Sequence, residues 1–176
     1  MCTQQIQSSL IFRETLNHMM SFFKQTITTE ITINATQEQV RRALLDFTSW
    51  DEWNPMVNQV TLGDKTPEEL EPGDEIGVNF VVLGDMAAEV EILSNTESEF
   101  SWVGKLLTGY VFQGRHFFKF TALEETGVTK TKFVHGEDFS GALVPIYFAL
   151  SSVEKSRKNY INLNKRFKAH VEKLAL

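Results

Sequence analysis

FVHGEDFSGALVP, residues 133–145, decides how this chain is read. Apolar and polar residues alternate from Phe133 to Phe139, the two-residue period of a strand with one buried face. His135 and Glu137 share the side of Phe133 and Phe139. Gly141 and Pro145 then break the strand, and a long helical pattern follows them. Upstream, GRHFFKFTALEETGVTK, residues 114–130, supplies a second alternating run and a turn, so the two runs form a hairpin.

With Glu124–Gly127 as a four-residue loop, Leu123 pairs with Val128. His116 then lies directly opposite His135, and Glu137 opposite Gly114. One face collects His116, Phe118, Phe120, Ala122, Phe133, His135, Glu137 and Phe139. The other collects Arg115, Lys119, Thr121, Lys130, Lys132 and Asp138, with Phe117 and Val134 as exceptions. The first face is expected to point inward, because a slip of one residue would turn every phenylalanine on it to water.

The rest of the chain is built around this hairpin. TITTEITINA, residues 26–35, alternates as a half-buried strand, with Ile27, Ile31 and Ile33 on one side. Thr36 and Gln39 form a capping box that opens a helix carrying Val40, Ala43, Leu44 and Phe47. A short second helix holds Trp50 and Trp53 and stops at Asn54-Pro55. Turn signals then divide six strands, over 57–62, 74–83, 86–95, 99–106, 111–123 and 128–139, joined as an antiparallel meander. One long amphipathic helix is expected over 146–174. Ile146, Leu150, Val153, Tyr160, Leu163, Phe167, Val171 and Leu174 form its stripe, and seven basic residues lie mainly off it.

The order is strand, two short helices, six strands, long helix, and the expected class is α+β. It resembles the START-like helix-grip superfamily, also called SRPBCC, which includes birch-pollen-allergen proteins, lipid-transfer START domains and polyketide cyclase/dehydrase-like proteins. Three stretches carry the likeness: ITTEITINATQEQVRRALLDFTSWDEWNP, GRHFFKFTALEETGVTKTKFVHGEDFSGALVP and the C-terminal helix. The second is similar to the last hairpin of the cyclase-like branch. The resemblance covers residues 26–176 and leaves 1–25 as an N-terminal extension. It implies a curved seven-stranded sheet gripping the long helix, with a mostly apolar cavity between them. Members range from carriers to enzymes, so fold alone does not choose.

Composition narrows the function classes. A 176-residue chain with 14 phenylalanines has aromatic surface enough to fill a large core or line a cavity. A net charge of −6 argues against nucleic-acid binding. The lone cysteine, Cys2, excludes an internal disulfide and fits a reducing compartment, and a cytoplasmic location is expected. No apolar run is long enough to span a membrane. Phosphate-binding glycine loops and hydrolase motifs are absent, and no cofactor is expected. The oligomeric state, monomer or homodimer, is open.

Two histidines and a carboxylate on a phenylalanine wall allow three readings. They are a structural polar cluster, an anchor for the polar end of an apolar ligand, or a chemical site. In the last, His135 or Glu137 is a general base and His116 an acid, or all three bind a metal. The leading expectation is binding of a lipid-, polyketide- or aromatic-like molecule by His116, Phe118, Phe120, Phe133, His135, Glu137, Phe139, Trp102 and Tyr160. The alternative is a cyclase or dehydratase using the His/His/Glu cluster for proton transfer. Trp50, Trp53 and Trp102 either frame a pocket mouth or belong to the core. Residues 63–74 are an acidic loop, either a lid or simply solvated.

Overall fold

The computed structural model describes residues 23–81, 84–125 and 128–175. Residues 1–22 of the N-terminal extension, Cys2 among them, lie outside these ranges. Strand β1 (Lys24–Ile33) is followed by helices α1 (Gln37–Leu45) and α2 (Trp50–Trp53). Strands β2 (Val57–Thr61), β3 (Glu75–Phe80), β4 (Met86–Asn95), β5 (Glu99–Leu106), β6 (Phe112–Glu125) and β7 (Val128–Ser140) come next. Helices α3 (Val144–Leu150) and α4 (Val153–Leu174) close the chain. The seven strands form one antiparallel sheet in the order β1-β7-β6-β5-β4-β3-β2. This is the α+β helix-grip arrangement expected from the sequence.

Local chemistry sets the elements. Thr36 accepts from the Gln39 amide, and the Gln39 side chain accepts from the Thr36 amide at 2.8 Å, so α1 starts on the anticipated capping box. Asn54 ends α2 and starts β2: its Oδ1 accepts from the amides of Met56 (2.9 Å) and Val57 (3.1 Å). Trp50 is fully buried, and its indole N–H donates to the Leu44 carbonyl at 2.7 Å. Trp53 packs on Phe167 of α4 with ring centres 4.6 Å apart. Both tryptophans therefore belong to the core.

Two expectations change. The first is the hairpin register. Glu125 pairs with Val128, so only two residues connect β6 and β7 rather than four, and every pair slides by two positions. His116 faces Glu137, Phe118 faces His135, and Gly114 faces Phe139. A two-residue slide preserves parity, so the inner face survives although the partners change. Ala122, at the outer end of that face, is exposed. Phe117, the outward exception, is buried: Arg115 and Lys119 lie 5.5 and 5.2 Å from its ring centre, and Gly136 leaves it room. A Cβ at Gly136 would stand 2.6 Å from Phe117 Cζ and from the Ile27 carbonyl oxygen.

The second change is the terminal helix, which is two helices. Ser151 is extended (φ −114°, ψ 112°) and its hydroxyl donates to the Tyr147 carbonyl at 2.8 Å, closing α3. The Ser152 side chain accepts from the Lys155 amide and starts α4. A pair of serines thus interrupts a stripe whose periodicity runs through them. The break carries α3 over the end of the sheet, where Tyr147 packs on Phe112 and Phe139.

Candidate functional site

A cavity of about 340 Å³ lies between the inner face of the sheet and helices α3 and α4. Its wall is largely apolar: Trp50, Val57, Trp102, Phe118, Phe139 and Leu163 all contribute. Met86, Leu106 and Lys155 also line it and are exposed, so they mark the opening. Of the nine residues expected to bind ligand, Trp102, His116, Phe118, Glu137, Phe139 and Tyr160 line the cavity. Phe120, Phe133 and His135 do not. The two phenylalanines are sealed in the main core, and His135 lies behind His116 with no exposed surface. No residue of 63–74 lines the cavity. That loop is pinned instead, with the Asn95 side chain donating to the carbonyls of Pro67 (3.0 Å) and Leu70 (2.9 Å).

The polar cluster is a chain of hydrogen bonds whose direction can be worked out from one end. The Thr29 hydroxyl donates to the His135 carbonyl at 3.2 Å, so its oxygen must accept from Asn164 Nδ2 at 3.0 Å. That orientation turns Asn164 Oδ1 towards His135 Nδ1, 3.0 Å away, which must therefore carry a proton. His135 is held well below the usual histidine pKa. Burial penalises the imidazolium, the neighbouring His116 adds to the effect, and the bond to Asn164 opposes it. A neutral His135 protonated on Nδ1 has a bare Nε2, which accepts from His116 Nε2–H at 2.7 Å. Both tautomers are thus set by a backbone carbonyl several groups away.

The chain ends at the cavity. His116 Nδ1 lies 3.7 Å from Glu137 Oε2, near enough for an ion pair when His116 is protonated. The same carboxylate oxygen accepts a hydrogen bond from the Tyr160 hydroxyl. Burial, reinforced by the Glu137 charge, pushes the Tyr160 pKa well above the phenol range, so Tyr160 is the donor. Aromatic rings hold the imidazoles: Trp102 stacks on His116 (4.9 Å, 14°), while Phe118 and Tyr160 stack on His135 (4.8 and 4.5 Å). Glu137 Oε1 accepts from none of the described residues and lies over Gly114, where any Cβ would collide with it. An acceptor backed by a histidine therefore faces an apolar cavity.

The metal reading does not fit this arrangement. Two imidazole nitrogens bound to one metal at about 2.0–2.1 Å each would stand farther apart than the 2.7 Å between His116 and His135. Among the described residues no group of three or more His, Cys, Asp or Glu is placed to hold a metal ion.

Thr29 and Asn164 were missed from sequence. Thr29 has the parity of Ile27, Ile31 and Ile33, and Asn164 follows Tyr160 by four residues on a helix. Each is a polar residue on a face otherwise read as apolar, and that was the available signal.

The His135 shift has a measurable consequence. The unfolded chain, with an ordinary value near 6.5, binds the proton first as pH falls. This contribution is therefore intact above that value and is lost as pH drops through it towards the folded-state pKa. One proton accounts for at most about 1.4 kcal/mol per pH unit. Urea unfolding at pH 6.5 and 5.0 should show His135→Leu losing about 1 kcal/mol less than the wild type over that interval. Equal losses would contradict a neutral, buried His135.

A family model described as polyketide cyclase / dehydrase and lipid transport matches residues 24–172. No curated protein matches the sequence. Among solved structures, the chain is similar to the Zhui aromatase/cyclase from Streptomyces sp. R1128, with 13% identity and a TM-score of 0.65. That match covers 85% of this chain and 94% of the other. It is also similar to a START superfamily protein from Mycobacterium smegmatis (14% identity, TM-score 0.62, 85% and 98% covered). At such identities these two likenesses speak for the fold alone.

Proposed function

Because the chain belongs to the polyketide cyclase/dehydrase and lipid transport family, we propose that it binds a small hydrophobic molecule between the sheet and α4. The lipid-, polyketide- or aromatic-like body would lie against Trp102, Phe118, Phe139 and Leu163, and its polar end would meet Glu137, Tyr160 and His116. The observation that carries this reading is the cavity of about 340 Å³, apolar apart from a few polar groups, the division of labour expected of ligand pockets. In the same reading the protein is cytoplasmic, and residues 1–25 are an extension outside the ligand-binding domain 26–176.

Organic extraction of the purified chain followed by mass spectrometry, with displacement of 8-anilinonaphthalene-1-sulfonate, tests it. A co-purifying apolar molecule that competes with the dye is expected. A protein that neither carries such a molecule nor takes up the dye would overturn the proposal.

One observation favours a second reading, an enzyme of the cyclase or dehydratase type. Glu137 Oε2 receives a phenolic hydrogen bond and faces an imidazole nitrogen, so carboxylate and imidazole could pass a proton to or from a bound substrate. In that case Glu137→Gln would bind ligand but not turn it over. Unchanged turnover in this variant would remove the reading.

A further inference from the structure

The Asn54 side chain is buried, yet only half of it is used. Its oxygen caps the start of β2 through the amides of Met56 and Val57. Its Nδ2 donates to none of the described residues. Among them, His170 Nε2 is the side-chain polar atom sealed from solvent without a partner, so Asn54 Nδ2 is not sealed. Asn54 lines the cavity, and with the oxygen committed to the backbone its free N–H groups are left for whatever fills that space.

We propose that the Asn54 carboxamide is a second polar contact for the ligand, and that the molecule taken up carries a neutral hydrogen-bond acceptor, a carbonyl or ether oxygen, to meet it. This rests on the binding reading above and narrows its chemistry. A hydrocarbon guest would strip water from this amide and leave it unpaired, a cost that a ligand acceptor avoids, so the site discriminates against a pure hydrocarbon. The neighbours decide the acceptor's charge. Trp50, Met56 and Val57 flank Asn54 on its own segment, and Phe80, paired with Val57, lies across from them in the lining. The two lysines of the lining are engaged elsewhere, Lys105 with Glu91 and Lys155 exposed at the opening. A carboxylate among these apolar neighbours would therefore lose its water at a cost that a carbonyl avoids. Glu137 Oε1, the acceptor on the other wall, takes a donor. The two side chains ask for different groups on one ligand.

Two probes differing by one oxygen test this on the full-length chain. Isothermal titration should give 1-tetralone about fivefold to tenfold tighter binding than tetralin, the increment of one good hydrogen bond. In Asn54→Asp the oxygen that caps β2 is kept and the N–H donors are lost, so the advantage of the ketone should vanish. Near-ultraviolet circular dichroism confirms that the variant is folded. Equal binding of both probes to the wild type overturns the inference while leaving the binding reading intact. A ketone preference that survives in folded Asn54→Asp does the same. If neither probe binds, the hydrophobic-ligand reading falls and this inference falls with it. The wild-type comparison decides the matter even if Asn54→Asp does not fold.

Discussion

Replacing Asn164 with leucine is expected to destabilise the protein by about 3 kcal/mol and to release the tautomers of two histidines. Asn164 is buried on α4 and holds β1 and β7 at once, donating to Thr29 Oγ1 and accepting from His135 Nδ1–H. Leucine fills a similar volume but leaves the His135 N–H and the Thr29 oxygen without partners, at about 1–3 kcal/mol for each stranded group. The tautomer effect separates a positioning role from simple loss of packing. In the wild type, two-bond ¹H–¹⁵N spectra should show His135 protonated on Nδ1 and His116 on Nε2. Without Asn164 nothing fixes the His135 proton, and both tautomers should appear in both rings. A variant of nearly wild-type stability with unchanged tautomers would show that the direction of the chain is set elsewhere.

The second large effect concerns the cavity itself. Gly104 of β5 and Gly114 of β6 face each other across the sheet and both line the cavity, so two side chains are missing from one stretch of wall. At Gly114 the Glu137 carboxylate occupies the position of a Cβ. At Gly104 a Cβ meets only Val90 Cγ1, at an ordinary 3.5 Å. Gly104→Trp should therefore be accepted by the backbone and send its indole into the space proposed for the ligand. Uptake of 8-anilinonaphthalene-1-sulfonate should fall at least about tenfold. Thermal stability should hold, because the added ring gains dispersion contacts inside an apolar void. Gly104→Ala should bind as the wild type does. Undiminished uptake by a folded Gly104→Trp would place binding outside the cavity.

Much of this architecture was legible in the sequence because it rests on periodicity. The paired alternation of 114–122 and 133–139 put His116, His135 and Glu137 on the inner face, and the Thr36–Gln39 spacing marked the first helix. What was not legible depended on connection length and on competition at single residues. EETG reads equally as a four-residue loop or as a two-residue connection, and that choice alone moved His116 from His135 to Glu137 as its cross-strand neighbour. The cluster nevertheless forms, because long side chains reach diagonal neighbours as well as direct ones. His116 thereby bonds His135 from beside rather than opposite. The break at Ser151–Ser152 escaped because apolar spacing continues through it, while the Ser151 hydroxyl joins its own amide on the Tyr147 carbonyl and the Ser152 side chain opens a new helix. Asn164 escaped because a polar residue in an apolar helical stripe looks like a boundary. Its partner Thr29 lies 135 positions away in sequence, on another element.

The most direct test is a crystal structure of the protein soaked with 1-naphthol. The ring is expected against Trp102 and Leu163, with its hydroxyl donating to Glu137 Oε1. Side chains collapsed into the space above Gly114, or naphthol bound elsewhere while that space stays empty, would contradict the assignment.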